Sequence, residues 1–100
     1  MTPDRPDPVA ALWERFRPLV TRRIDVLEAF AVGAPDVTAD DAHREAHNLA
    51  GALGSYGRAA GSVTARSVLT ELDRVAAGSL DERRAALLPL VERLRRDTAD

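Results

Sequence analysis

The sequence predicts an all-α protein, a single bundle of helices, and three observations carry that expectation. Helix-forming residues dominate the chain, apolar residues recur at steps of three and four, and no run alternates apolar with polar residues between turn signals as a half-buried strand would. One hundred residues make one domain with one core, too small for a second unit or a spacious cofactor cavity. Apolar residues at 45% and charged residues at 30% fit a soluble globular protein rather than a disordered one.

The elements follow in order. Residues 1–7, with Pro3 and Pro6, read as a loose tail. From Pro8 a first short helix carries Val9, Leu12, Trp13 and Phe16 until Pro18 interrupts it and opens a second. Val20, Ile24, Leu27 and Ala31 form the core seam of that second helix, which Gly33, Ala34 and Pro35 end. Thr38 is an N-cap followed by Asp40 and Asp41, so a third helix begins near residue 39, with Ala42, Ala46, Leu49 and Leu53 as its seam. Gly57 and Gly61 bracket a break. A fourth helix uses Val63, Ala65, Val68, Leu69, Leu72 and Val75 and stops at Gly78. Ser79 and Glu82 have the capping-box spacing for a fifth, whose inner face is Leu87, Val91 and Leu94 and which Pro89 is expected to kink.

Composition closes off several classes of function. The chain has no cysteine, which excludes a disulfide framework, a thiolate zinc site and thiol catalysis. Its net charge of -2 arises from 14 basic residues, all arginine, interspersed with 16 acidic ones, so no broad electropositive face for nucleic acid is expected. No apolar run approaches the roughly 18 residues needed to span a bilayer. The opening MTPDRPDPV lacks the basic start and apolar run of a secretory signal, which makes the cytoplasm the expected location. The absence of a long unpaired apolar stripe points to a monomer.

Within the third helix the segment HNLAGALGSYG raises a question of cost. Each helix-interior glycine is worth roughly 1 kcal/mol less than alanine, so Gly51 and Gly54 surrender a noticeable part of a small domain's stability. On a helical projection His47 faces about 130° away from the seam, and both glycines lie within roughly 40° of it. Asp40, His43 and Arg44 share that side, with Ala50 at its flank. The glycines thus clear the surface beside an outward imidazole, as a reaction with a bulky partner requires. Neutral imidazole is nucleophilic near pH 7 and takes a phosphoryl group at nitrogen when a partner supplies the electrophile.

The segment Ala46-His47-Asn48-Leu49-Ala50-Gly51-Ala52-Leu53-Gly54-Ser55-Tyr56-Gly57 resembles the signature of histidine phosphotransfer (HPt) domains, H-x-L-K-G followed by small residues and further glycines. The histidine, the leucine two on, and the glycines four, seven and ten on all correspond. The resemblance extends more loosely over nearly the whole chain, with residues 8–97 as the HPt-like unit. It implies an antiparallel four-helix bundle with an additional short N-terminal helix. It also implies a phosphoryl carrier without kinase activity of its own, exchanging phosphate in a two-component phosphorelay.

On this resemblance His47 is the phosphoacceptor. The partner is a response regulator receiver domain, a hybrid sensor histidine kinase, or both, and the receiver brings the Mg²⁺, so this chain needs no cofactor or metal. The surface expected to meet the partner comprises Asp40, His43, Arg44, Ala50, Gly51, Gly54 and Ser55, with Arg58 beyond the glycines. Ala50 stands where many members have lysine, which removes a positive charge; Arg44 or Arg58 is expected to replace it. The same departure admits a non-phosphorylatable HPt-like module that docks a receiver or regulates a partner protein.

The plainer readings weigh against other sites. A lone surface histidine is ordinarily just solvated, but two glycines on its own face set His47 apart, whereas His43 is read as a neighbour that tunes charge. Asp40, His43 and His47 have the spacing for a metal along one helix face, yet a structural site normally needs four ligands and no further histidine or cysteine is available. Trp13, Phe16 and Phe30 read as core or bundle-edge packing, and Tyr56 as the aromatic best placed to touch a partner. Ser62, Thr64, Ser67 and Thr70 have no accompanying base or oxyanion loop, so a hydrolase has no support.

Overall fold

The computed structural model describes residues 8–74 and 80–99. Among these residues there are four α-helices and no strands: α1 (Pro8–Ala31), α2 (Ala39–Ser55), α3 (Ala59–Asp73) and α4 (Leu80–Asp97). Each helix packs on the next and α4 closes on α1, forming a helical bundle. The expected tail at residues 1–7, Val75 of the fourth seam, the stop at Gly78 and the Ser79 half of the last capping box lie outside the described residues.

The first difference from expectation is at Pro18. Instead of a short helix followed by a second, α1 runs unbroken through Pro18 for 24 residues. An interior proline removes one backbone hydrogen bond and costs ~3 kcal/mol in an isolated helix. Here Trp13 on one side and Val20, Ile24, Leu27, Phe30 and Ala31 on the other are all buried on a single stripe, while Pro18 faces solvent. Burial of that stripe, worth ~1.5–3 kcal/mol per large side chain, outweighs the local break signal. Pro89 is likewise exposed inside a continuous α4, flanked by Leu87, Val91 and Leu94, which are at most 2% exposed.

Helix ends follow local chemistry. Gly33 and Gly57 have φ of 86° and 74°, the left-handed region that glycine enters without steric cost. After α1 the Ala34 amide donates to the Ala29 carbonyl and Gly33 to Phe30; after α2 the Arg58 amide donates to Leu53 and Gly57 to Gly54. Both ends are Schellman motifs. At the start of α2, Thr38 Oγ1 accepts from the Asp41 amide at 3.1 Å and Asp41 Oδ2 accepts from the Thr38 amide at 3.0 Å, a full capping box.

The break expected between Gly57 and Gly61 is only the Gly57 turn, because α3 already starts at Ala59. Gly61 lies inside the first turn of α3, where a Cβ would stand 2.9 Å from Leu53 Cδ1. It is there for close approach of two helices rather than for a turn. Gly61, Ala65, Val68 and Leu72 make the inner face of α3, and Val63, expected on that face, is 58% exposed. Residues two apart on a helix differ by about 200°, so Val63 cannot share a side with Ala65.

The seam of α2 is as the sequence reads: Ala42, Ala46, Leu49 and Leu53 have no exposed surface. Between helices, Arg23 of α1 pairs with Glu45 of α2, and Arg95 of α4 reaches Asp25 and Glu28 of α1 at 2.8 and 2.7 Å. Val9 and Leu12, which share the apolar spacing of the first helix with Trp13, are 43% and 44% exposed.

Three substitutions check this account. Gly61→Ala should destabilise the protein by about 1–3 kcal/mol, since Leu53 must be displaced, and should lower the urea midpoint without changing the slope. Thr38→Ala should cost about 1 kcal/mol through loss of the cap. The Thr38 amide, with smaller help from the Thr38 hydroxyl and Arg44, holds the Asp41 carboxyl below its ordinary value of 3.8. A depressed folded-state value contributes stability that is complete above the unfolded value and lost as pH falls through the folded one. The acid limb of stability below pH 3.8 should therefore shrink in Asp41→Asn, measured by thermal unfolding against pH.

Candidate functional site

Burial of the α2 seam turns Asp40, Arg44, His47, Gly51 and Ser55 to solvent as one stripe, with steps of four, three, four and four. His47 is exposed in the middle of the helix. Gly51, one turn further on, has nothing within 4 Å of where a Cβ would stand. At Gly54 the nearest atom would be Ser62 Oγ at 3.5 Å, an ordinary contact. Both glycines lack the positive φ of Gly33 and Gly57. Neither backbone conformation nor internal packing requires glycine at 51 or 54, in contrast to Gly61.

Ala50 departs from its expected place on the partner-facing surface. It is only 7% exposed, because α3 covers that flank of α2: Ser62 Oγ donates to the Ala50 carbonyl at 2.7 Å. The projection gives its angle correctly but does not tell which flank a neighbouring helix will take. Ser55 is exposed, with its hydroxyl bonded back to the Gly51 carbonyl at 3.2 Å.

The charged neighbours are mostly engaged. Arg44 pairs with Asp41 at 3.2 Å, one turn back on α2. Arg58 is half-buried, with its guanidinium 4.4 Å from the centre of the Trp13 ring. The two arginines expected to make up for the missing lysine therefore hold other groups. His43 Nε2 lies 3.4 Å from Asp73 Oδ1 at the end of α3, a cross-helix pair that no local pattern in the sequence signals. Asp40 is exposed beside it on the helix. Among the described residues no three His, Asp or Glu side chains are grouped to hold a metal ion, so Asp40, His43 and His47 do not form such a set.

Tyr56 is half-buried and stacks on Phe16, with ring centres 5.6 Å apart and planes at 10°, which ties the end of α2 to α1. Beside it a groove of 290 Å³ runs between Phe16, Leu19 and Arg23 of α1 and Asn48, Ala52 and Tyr56 of α2. It borders the exposed stripe on the side opposite α3 and depends on an α1–α2 contact that sequence periodicity does not reveal. No helix among the described residues is long and apolar enough to cross a membrane.

Comparison of the chain with protein-family models, with curated proteins and with solved structures found no match in any of the three.

Because a Cβ at Gly51 would meet nothing, Gly51→Ala should raise stability by about 1 kcal/mol through helix propensity, read from the urea midpoint. A decrease would show that the glycine serves the fold and not the surface.

Proposed function

We propose that this protein is a phosphoryl carrier in which His47 exchanges a phosphoryl group with aspartates of receiver domains, within an antiparallel four-helix bundle. The observation that carries the reading is an exposed imidazole flanked by two helix-interior glycines that nothing inside the molecule requires. The reversed order of helix contacts supports the antiparallel arrangement: Arg23 meets Glu45 while Trp13 meets Arg58, and Ser62 meets Ala50 while Asp73 meets His43.

The step is a simple exchange. A ring nitrogen of neutral His47 uses its lone pair to form a P–N bond, the P–O bond to the donor aspartate breaks, and its electron pair leaves on the carboxylate. The proton on the other ring nitrogen passes to solvent. Return to a second aspartate reverses each change. Divalent metal and the acidic pocket belong to the receiver, and this chain supplies the nucleophile and the bare surface that admits the receiver. A soluble, cytoplasmic monomer without kinase activity fits that task.

One observation favours a second reading, a module that docks a receiver without accepting phosphate. The position of the family's lysine is a buried alanine, and both Arg44 and Arg58 are engaged elsewhere.

The test separates the two. The protein is incubated with purified receiver domains phosphorylated with radiolabelled acetyl phosphate. Transfer should place acid-labile, base-stable label on the wild type and none on His47→Gln. Saturable binding without label would establish the docking module instead, and label that survives His47→Gln would refute the assignment of the acceptor.

A further inference from the structure

The pairing of α2 with α3 sets a second arginine, Arg66 of α3, alongside the stretch of α2 that carries Arg44 and His47. Two contacts fix the alignment of these helices: Ser62 Oγ with the Ala50 carbonyl at 2.7 Å, and Asp73 Oδ1 with His43 Nε2 at 3.4 Å. Ser62, Arg66, Leu69 and Asp73 succeed one another at steps of four, three and four and so form one row along α3. Both ends of this row touch α2, so its middle spans the stretch of α2 that holds His47. Arg66 stands one turn, ~6 Å, from Ser62 and comes level with the turn from His47 to Ala50.

The α2–α3 unit and its caps carry four arginines: Arg44, Arg58, Arg66 and Arg74. Three have partners, in Asp41, the Trp13 ring and Glu71. Arg66 is exposed, and among the described residues its guanidinium has no carboxylate, ring or carbonyl partner. On the α2 side, position 50 is a small buried alanine, and Gly51 and Gly54 have no side chains.

We infer that Arg66 is the cation of the phosphoryl-binding site, its guanidinium bonding the phosphoryl oxygens as the group passes to and from His47. This rests on the phosphotransfer reading. A guanidinium presents paired N–H donors that match two phosphoryl oxygens, and it stays protonated throughout. Arg66 makes no covalent bond and moves no proton. It offsets the charge on the oxygens while the P–O bond breaks and the P–N bond forms.

The test uses the full chain and a receiver domain labelled with acetyl phosphate, following single-turnover transfer at increasing receiver concentration. Wild type, Arg66→Ala and Arg66→Lys are compared, with circular dichroism confirming equal helicity. Arg66→Ala should still take label on His47 but with a maximal rate lower by on the order of 10²-fold, and Arg66→Lys should recover part of it. An unchanged maximal rate in Arg66→Ala overturns the inference while leaving the phosphotransfer reading intact. A higher half-saturating receiver concentration at an unchanged maximal rate also overturns it, because Arg66 would then meet only the receiver's surface. Absence of label on the wild type removes the phosphotransfer reading and this inference with it.

Discussion

The rotation of α2 about its own axis is the constraint on which the rest of the molecule depends. Three contacts set it: the fully buried seam of Ala42, Ala46, Leu49 and Leu53, the seat of Leu53 against Gly61, and the bond from Ser62 to the Ala50 carbonyl. The seam alone would allow some roll, since small alanines tolerate an off-centre fit. Gly61 and Ser62 narrow it. A Cβ at 61 would stand 2.9 Å from Leu53 Cδ1 and displace that side chain, and the hydroxyl of Ser62, a residue 4% exposed, needs that carbonyl as an acceptor. With the roll fixed, His47 faces solvent, and among the described residues no side-chain contact of its own directs it there.

The described glycines divide by this logic. Gly33 and Gly57 end helices in the left-handed region, and Gly61 admits Leu53. Gly51 and Gly54 do none of these things. A helix of this length gains its stability from one packed face, and two interior glycines on the other face weaken its intrinsic propensity with no return within the molecule. Such a pattern is the ordinary form of a trade between stability and function, in which the missing side chains matter to something outside the chain.

What is local was legible in the sequence. The seams of α2 and α4, the Thr38 cap and the end of α1 at Gly33 each depend on residues within one or two turns. What depends on a second helix was not legible. Pro18 reads as a break because its cost is local while the stripe that overrides it is tertiary, and Gly61 reads as a break because a glycine chosen for close approach looks the same as one chosen for a turn. Val63 reads as core when grouped with Ala65, yet two residues along a helix put it about 200° away and it is 58% exposed. At the candidate site, His47 and its glycines stand out by spacing along one helix. The Asp73 partner of His43, the burial of Ala50 and the position of Arg66 emerge only once α2 and α3 are aligned, because those pairs lie 12 or more residues apart in the chain.

The burial of Ala50 changes what its identity means. On an open helix face, alanine in place of lysine removes a charge outright. Here position 50 faces α3, so under the proposed reading a cation beside His47 would come from α3, on which Arg66 stands one turn from Ser62. Under that reading an incoming phosphoryl group would respond to where positive charge stands, whichever helix bears it, because attraction between unit charges falls with distance and with exposure to water. Under that reading a guanidinium on the neighbouring helix would leave the turns of α2 just beyond His47 without long side chains on the exposed stripe, which is the surface the two unexplained glycines create.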